Sequence, residues 1–410
     1  MCRRMPWPAS ISGSGFQRAE VIIWAAVYCG KKVIIILDEY DTPMQEAWLG
    51  GSWDETVGFF RVFFNSTFKT NRHMERGLIT GITRISKERV FSDLNNLKVV
   101  TTTSDQYATS FGFTEEEVYR ALDETGLGCR KESVKQWYNG FTFGRHADIY
   151  NPWSVASFID EGGKYRTYWA NTSSNGLINS LIQTGNKDIK QNFEILIKGG
   201  SFQAEIDEQI VFNQLDGNTD AVWSMLLATG HLKVLEVNAV GEDQAQIYTL
   251  ALTNREVEVM FKSMVSGWFS GDTGMAYNKF IRAMLNDDVD YMNEFMNDIA
   301  LASFSNFDVA KSVSSKDAPE RFYQGFVLGL IVDLAGRYTV TSNRESGLGR
   351  YDIVIRPLDR EKGCAYIIEF KVNRPAREKN LEETLANARR QIEEKSTGRS
   401  SYQRVLRRSG

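Results

Sequence analysis

Polar and apolar residues alternate in two runs near the end of the chain, Arg350–Arg356 and Ala365–Val372. Alternation with a period of two predicts β-strands, because successive side chains of a strand project to opposite faces of the sheet. In the second run, this pattern places Ile367, Glu369 and Lys371 on one face. The Cα atoms of the last two would lie about 6.6 Å apart, at roughly 3.3 Å of rise per residue.

A continuous apolar run near the start of the chain has a different pattern. It extends from Val33 to Leu37 and ends in the acids Asp38 and Glu39. Such a run predicts a parallel strand that is buried on both faces. Its carboxylates would emerge at the carboxyl edge of the sheet, where open α/β folds bind ligands. The segment Arg76–Ser86 predicts the next strand and the loop that leaves it.

Between these ends, the pattern is mainly helical. Thr114–Glu117 predicts a capping box at the start of a helix, and Asn139-Gly140 between aromatic runs predicts a hairpin turn. A strand pair is predicted around Leu232–Val237 and Gln246–Leu252. The large apolar residues of Tyr277–Leu301 recur at helical spacing, which predicts one helix facing a core.

Composition narrows the class of protein. The chain has 410 residues, 42% of them hydrophobic, enough for two or three cores. The net charge of −4 gives no overall basic field, so a surface that binds nucleic acid would have to be a local patch. The four cysteines are widely spaced and form no disulfide or metal framework. The apolar run Val21–Cys29 is too short to cross a bilayer. We therefore expect a cytoplasmic protein without a membrane partner, while the sequence leaves the oligomeric state open.

The two alternating runs carry residues that suit phosphodiester hydrolysis. Asp352 precedes Glu369 by 369 − 352 = 17 residues, and Lys371 follows two positions later. Carboxylate oxygens are the ligands that Mg²⁺, or Mn²⁺ in its place, prefers, and the bound ion activates water. The ammonium group could orient that water or stabilise the developing charge. The alternative is an exposed strand face with a salt bridge.

These residues resemble the Asp and Glu-x-Lys core of the PD-(D/E)XK nuclease superfamily. The surrounding segments, Glu320–Leu330 and Ser342–Asp352, resemble the nuclease-like domain that follows an AAA-ATPase-like domain in a large group of mostly bacterial proteins. The resemblance implies two further site residues, Glu320 on a helix before the sheet and Gln391 on a helix after it. Glu320 could instead be a first-turn acid favoured by the helix dipole, and Gln391 a solvated helix position.

The N-terminal part resembles the AAA-ATPase-like family that precedes this nuclease-like domain. The likeness includes the strand before Asp38 and the later segments Trp137–Gly144 and Ile149–Ser154. In P-loop NTPases, the acid that ends this strand holds Mg²⁺ and a following Glu can polarise water. The resemblance therefore implies ATP as the cofactor of the intact family, with Asp38 and Glu39 at its site.

One part that such an ATPase needs is missing from the sequence. The phosphate-binding loop has the pattern Gly-x-x-x-x-Gly-Lys-[Ser/Thr], whose backbone N–H groups and lysine hold the phosphates. No segment of the chain has this pattern. We therefore expect a domain truncated before its P-loop and no ATPase activity from this chain alone.

Taken together, the sequence predicts an α/β protein with three parts. An incomplete P-loop-type parallel-sheet domain is expected at residues 1–174, a mainly helical connecting region at 175–302, and an α/β PD-(D/E)XK nuclease-like domain at 303–410. The predicted function is that of a Mg²⁺-dependent nuclease coupled to a degenerate or truncated ATPase domain, with DNA or RNA as its partner. The alternative is a non-catalytic nucleic-acid-binding or signalling module whose active sites have decayed.

Overall fold

The computed structural model of the protein is α/β and divides the chain into two units, Met1–Met260 and Phe261–Gly410. Each unit is described by itself. The division falls within the predicted connecting region 175–302, and the bounds of the three predicted domains stay predictions. The residues that the structure describes are 28–69, 71–82, 97–169, 176–207, 218–240, 245–268, 272–295, 318–343, 352–359, 361, 363–369, 386–387 and 389–390.

The first unit begins with the predicted parallel strand pair. β1 (Val33–Leu37) pairs in parallel with β2 (Met74–Ile79), which confirms the prediction of parallel neighbours. Two helices connect them, α1 (Thr42–Gly50) and α2 (Trp53–Phe68). The Phe68 ring packs over Gly77, where an added Cβ would lie 2.9 Å from a ring carbon.

Burial of β1 differs from the sequence prediction. Gly77 is the register partner of Ile35, so the Phe68 ring covers the face of the sheet that contains Ile35. On the opposite face, Ile34 and Ile36 are 61% and 69% exposed. The prediction of a strand buried on both faces is therefore wrong for the described residues, because α2 covers only one face.

The predicted capping box is confirmed at the start of α3 (Glu115–Glu124). The Thr114 N–H donates to the Glu117 carboxylate at 2.8 Å, and the Glu117 N–H donates to the Thr114 hydroxyl at 3.4 Å. The first of these hydrogen bonds lowers the pKa of Glu117. A negative charge in the first turn also interacts favourably with the helix dipole.

A hydrophobic core forms where α3, α4 (Lys131–Tyr138) and α5 (Pro152–Asp160) pack together. Beside them lies an antiparallel sheet in the order β3-β5-β4, with β3 (Phe113–Thr114), β4 (Phe141–Phe143) and β5 (His146–Tyr150). The buried members of this core are Val118, Leu122, Val134, Tyr138, Tyr150, Val155 and Phe158. Burial raises the pKa of Tyr138.

The predicted hairpin turn lies at a different position. Asn139 and Gly140 join the end of α4 to the start of β4, while the turn between β4 and β5 is made by Gly144 and Arg145. The prediction was wrong because the aromatic run before Asn139 ends a helix and is not a strand. Gly140 has φ 114°, and an added Cβ would clash with the Thr253 carbonyl oxygen.

The rest of the first unit surrounds a second antiparallel sheet. Its order is β6-β8-β7, with β6 (Phe202–Glu205), β7 (Leu232–Val240) and β8 (Ala245–Leu252). The pairing of β7 with β8 confirms the predicted strand pair. The neighbouring helices are α6 (Gly176–Thr184), α7 (Lys187–Ile197), α8 (Thr219–Ala228) and α9 (Arg255–Trp268), the last of which crosses the unit boundary.

The second unit contains a helical core and a small sheet. In α10 (Asp272–Leu285), the Phe280 ring lies 4.8 Å from the Phe295 ring and 5.3 Å from the Phe326 ring of α11 (Ala318–Asp333). The predicted single helix Tyr277–Leu301 is interrupted after Leu285 by a turn in which Asp287 has φ 59°. A helical stretch resumes at 289–295, so the apolar spacing identified core residues but not the break.

Three antiparallel strands follow α11 in the order β11-β10-β9. They are β9 (Tyr338–Asn343), β10 (Asp352–Pro357) and β11 (Tyr366–Glu369). The predicted alternating runs thus form neighbouring strands. Across the described helices of both units, none has the length and apolar content that crossing a membrane requires.

We expect Gly140→Ala to destabilise the first unit more than Gly126→Ala does. Both glycines have positive φ, but an added Cβ at Gly126 meets no atom within 4 Å. The control should cost about 1 kcal/mol for backbone strain, and Gly140→Ala about 1–3 kcal/mol more for the steric conflict. Urea unfolding followed by tryptophan fluorescence measures the difference. Equal costs would show that the Thr253 carbonyl yields readily.

The stability of the first unit should fall as the pH drops. Burial lowers the pKa of His231 to about 4, from an ordinary value of 6.5. Between these values the unfolded state binds the extra proton, so the stabilisation is complete above pH 6.5 and declines toward pH 4. The loss should reach up to about 3 kcal/mol, at roughly 1.4 kcal/mol per pH unit. His231→Asn should flatten the dependence in urea titrations across this range, and an unchanged slope would exclude His231 as its source.

Candidate functional site

The pairing of β10 with β11 brings two predicted site residues together. Asp352 and Glu369 are direct partners in the antiparallel register. Residues that face each other in such a ladder have Cβ atoms about 4.5–5.5 Å apart and lie on the same face of the sheet. The register therefore places Asp352 and Glu369 next to each other on one face of the sheet.

Alternating burial distinguishes the two faces of this sheet. Ile353 and Ile355 are fully buried, and Tyr366, the partner of Ile355, is 9% exposed. Burial raises the pKa of Tyr366 to about 12. The opposite face carries Ile367, which is 47% exposed, and the register places Asp352 and Glu369 on that more open face. The apolar residues thus fix which face of the sheet carries the acids.

A third polar residue joins this row from β9. Asn343 is the register partner of Asp352 on the side opposite Glu369. The row Asn343, Asp352 and Glu369 therefore crosses all three described strands at one end of the sheet. Sequence reasoning did not single out Asn343. Its position at the end of an alternating strand just before Asp352 was the signal that could have identified it.

Of the other three residues predicted for this site, the structure describes only Glu320. Glu320 lies in the first turn of α11, which agrees with a position on a helix before the sheet. Lys371 and Gln391 lie outside the described residues. In the described part of the chain, no group of three or more His, Cys, Asp or Glu residues is arranged to hold a metal ion. Asp352 and Glu369 are thus a pair of acids in register, and their catalytic roles stay predictions.

The second predicted site lies at the carboxyl edge of β1 and β2. The Asp38 carboxylate accepts a hydrogen bond from the Thr80 hydroxyl and another from the Glu39 N–H at 3.1 Å. Asp38 and Glu39 are exposed, and Glu39 has φ 50°. An exposed carboxylate oriented in this way can bind a divalent cation. The end of the loop predicted after β2, residues 83–86, lies outside the described residues.

A buried carboxylate that sequence reasoning missed connects the two loops at this edge. Asp41, 1% exposed, accepts hydrogen bonds from the Ile82 N–H at 3.0 Å and from the Gln45 side chain at 3.3 Å. A Cβ at Gly81 would lie 2.6 Å from Asp41 Oδ1, so the loop after β2 approaches Asp41 very closely. This contact holds Thr80 near Asp38. The signal in the sequence was a third acid shortly after the strand end, two residues beyond Glu39.

Comparison with known proteins agrees with the domains predicted for the two ends of the chain. Residues 318–405 match a family model described as PD-(D/E)XK nuclease superfamily, and residues 11–91 match one described as Predicted AAA-ATPase. The first range includes all three strands β9, β10 and β11, and the second includes β1, β2 and Asp38.

One relative from Azotobacter chroococcum mcd 1 carries the description "Uncharacterized protein in vnfD 5'region". It is 23% identical over 240 residues, which cover 58% of this chain and 44% of the relative. The matched part is therefore less than half of the relative's length. No solved structure matches the chain. From these matches and the strand arrangement, the chain carries an AAA-ATPase-like domain in its N-terminal part and a domain of the PD-(D/E)XK nuclease superfamily in its C-terminal part.

Proposed function

We propose that the protein is a metal-dependent nuclease whose C-terminal domain hydrolyses phosphodiester bonds. The observation that supports this most strongly is the register pairing of Asp352 with Glu369 on the more open face of the sheet. The match to the PD-(D/E)XK nuclease superfamily covers both residues. Nucleic acid, DNA or RNA, is the substrate class that such a domain implies.

The oxygen-bearing side chains in this row of residues suit a hard divalent cation. Asp352 and Glu369 offer carboxylate oxygens, and Asn343 offers an amide oxygen at the next position of the row. Oxygen ligands of this kind suit Mg²⁺ or Mn²⁺. A bound ion would polarise a phosphoryl oxygen and lower the pKa of a coordinated water. The two carboxylates would hold the ion, and Asn343 would support Asp352 or the ion from the other side.

We assign Lys371 the role of orienting the attacking water. It follows Glu369 by two residues, so continued alternation of the strand would place it on the same face. Its ammonium group would orient the water by hydrogen bonding and stabilise negative charge that develops on the phosphate. We assign Glu320 a supporting acidic role from α11 and Gln391 a polar contact within the same site.

The N-terminal domain is proposed to regulate the nuclease through nucleotide binding in the intact architecture. In that architecture Asp38, whose carboxylate accepts a hydrogen bond from Thr80, would bind Mg²⁺, and Glu39 would polarise water. The chain has no phosphate-binding loop sequence, so ATP hydrolysis is not proposed for it. The second candidate function is a non-catalytic nucleic-acid-binding or signalling module. We propose a cytoplasmic location for either function.

Lys371→Ala should reduce metal-dependent cleavage by about 100- to 1,000-fold, the usual effect of removing one preorganised polar contact. The test measures cleavage of single-stranded DNA, double-stranded DNA and RNA with Mg²⁺ or Mn²⁺, and with EDTA as the metal-free control. Lys395→Ala is a matched control, because Lys395 also follows an acid by two residues, and it should retain activity. If wild-type protein cleaves none of the substrates, the binding-module function replaces the nuclease.

Glu369→Gln should lose activity for a different reason. The substitution keeps the shape of the side chain but removes a charged metal ligand, so metal affinity should fall. Raising the Mn²⁺ concentration should therefore restore part of the cleavage, whereas Lys371→Ala should not respond. Initial rates across a Mn²⁺ series distinguish the two variants. Equal responses would contradict the separate assignment of metal binding and water orientation.

ATP should show no measurable binding to this chain in calorimetric titration with Mg²⁺ present. The reason is that Asp38 can contribute only to ion binding, while the backbone cradle and lysine that hold phosphates are absent from the sequence. The same titration of Asp38→Ala serves as the comparison and should look the same. Micromolar binding that this substitution abolishes would show that another segment replaces the missing loop.

A further inference from the structure

A cluster of exposed cations lies in the first unit, at the edge of the sheet where β1 and β2 begin. The two strands are parallel, so the turns that enter them lie side by side, and the Val33 N–H donates to the His73 carbonyl oxygen at 2.9 Å. Every described lysine and arginine of these two turns and of the first half of β2 is exposed. They are Lys31, Lys32, Lys69, Arg72 and Arg76. We call this group the basic edge.

The charge of the basic edge is strongly positive. The described residues 28–33, 69 and 71–76 carry these five cations and one carboxylate, that of Glu75. With His73 neutral, the balance is 5 − 1 = 4 positive charges, in a chain whose net charge is −4. Within the described part of the chain, the ion pairs are formed by other residues. The cationic groups are therefore available to an anionic partner.

The acids of the neighbouring elements lie at their opposite ends. Asp38 and Glu39 follow the five residues of β1, about 16 Å from the basic edge at 3.3 Å per residue. Asp54 and Glu55 occupy the first turn of α2, whereas Lys69 follows its last residue. This helix has 16 residues and a length of about 24 Å at 1.5 Å per residue. The basic edge thus creates a local positive field, which can attract a polyanion to a chain of negative net charge.

Hydrogen bonds hold the turn between α2 and β2 in a fixed shape. The Asn71 side-chain amide donates to the Thr67 carbonyl oxygen at 3.0 Å, and its oxygen accepts from the His73 N–H at 3.0 Å. The Arg72 Nε donates to the His73 ring at 3.3 Å, which orients the guanidinium group. Its Nη atoms can contact phosphate oxygens, for which the planar fork of arginine is well suited. A group that is oriented before binding loses less entropy on binding.

We propose that the basic edge binds the phosphate backbone of a nucleic acid. Five cations on two neighbouring turns exceed what one phosphate group neutralises, whereas a nucleic acid offers a phosphate about every 3.4 Å along each strand. Among polyanions, nucleic acid is inferred because the chain also carries a domain of the PD-(D/E)XK nuclease superfamily, so this choice rests on the proposed function. Contacts to the backbone do not read the base sequence. The basic edge would therefore retain substrates of any sequence on the chain that cleaves them.

The test measures DNA binding by the full chain under conditions that prevent cleavage. The probe is a short fluorescein-labelled single-stranded DNA in EDTA, which removes the metal ion that the nuclease requires, and the readout is fluorescence anisotropy. The binding constant is measured across a salt series from about 50 to 200 mM. Its logarithm should fall linearly with the logarithm of the salt concentration, by about 0.7 for each phosphate contact. Five contacts would give a slope of about −3.5.

Two pairs of substitutions test the two turns separately. Lys31→Gln/Lys32→Gln should reduce the steepness of the salt slope by about 1.4, because two phosphate contacts are lost. Lys69→Gln/Arg72→Gln should reduce it by about the same amount. Circular dichroism and thermal unfolding show whether each variant is folded, and changes at exposed side chains should leave both unaltered.

A control variant separates the local patch from the net charge of the chain. Arg120→Gln/Lys164→Gln also removes two positive charges, from exposed positions in α3 and in the segment that follows α5. It should leave the salt slope unchanged. A control that lowers the slope as much as the other two pairs would show that DNA responds only to net charge, and the proposal would be wrong.

Other outcomes would also overturn the proposal. Absence of binding by the wild-type protein at low salt, or equal slopes for it and both basic-edge variants, would show that DNA does not contact these residues. Tighter binding to phosphatidylserine vesicles than to DNA, lost in the same variants, would make the basic edge a membrane surface. Equally tight binding of polyglutamate would make it a site for acidic polypeptides.

Cleavage is a separate readout from binding. Wild-type protein that cleaves DNA with Mg²⁺, while the basic-edge variants bind DNA normally, would overturn this proposal and leave the nuclease function in place. Wild-type protein that binds DNA with the expected slope, but cleaves none of the substrates, would overturn the nuclease function and leave the basic edge as a binding surface.

Discussion

The register between β10 and β11 is the constraint on which the nuclease proposal depends. A strand that slips by one residue moves all its side chains to the opposite face, so Asp352 would no longer share a face with Glu369. The apolar residues resist such a slip, because Ile353 and Ile355 are fully buried and Tyr366 nearly so. Moving two isoleucines from the core into water would cost roughly 1.5–3 kcal/mol for each side chain. The position of the acids is therefore set by the burial of their apolar neighbours.

The N-terminal site depends on a contact of another kind. The carboxyl ends of β1 and β2 are held together by the buried Asp41, which accepts a hydrogen bond from the loop after β2. This keeps Thr80 in hydrogen-bond contact with Asp38. Hydrogen bonds thus order the carboxyl edge of β1 and β2 in a chain whose sequence does not contain the pattern of a phosphate-binding loop.

Local patterns predicted the elements that depend on local physics. The alternating runs became β10 and β11, and the capping box at Thr114 formed, because strand alternation and helix capping are decided within a few residues. The same reasoning placed Asp352 and Glu369 on alternating strands but could not supply the register between them. That register depends on which apolar residues of two separate strands are buried together.

The errors arose where distant contacts decide the structure. Asn139-Gly140 has the residues of a tight turn, yet the preceding aromatic run is the end of a helix whose Val134 and Tyr138 face the core. The apolar run of β1 suggested burial on both faces, but α2 covers only one. The contact made by Asp41 was not identified, because its donor Ile82 lies 41 residues away in the sequence.

Anomalous diffraction from crystals grown with Mn²⁺ tests the central claim most directly. The account predicts one strong anomalous peak beside the end of β10 and β11, with carboxylate oxygens of Asp352 and Glu369 about 2.0–2.3 Å from the ion, as is usual for small divalent cations with oxygen ligands. The peak should disappear in Asp352→Ala crystals. A peak elsewhere, or ordered Asp352 and Glu369 side chains on opposite faces of the sheet, would contradict it.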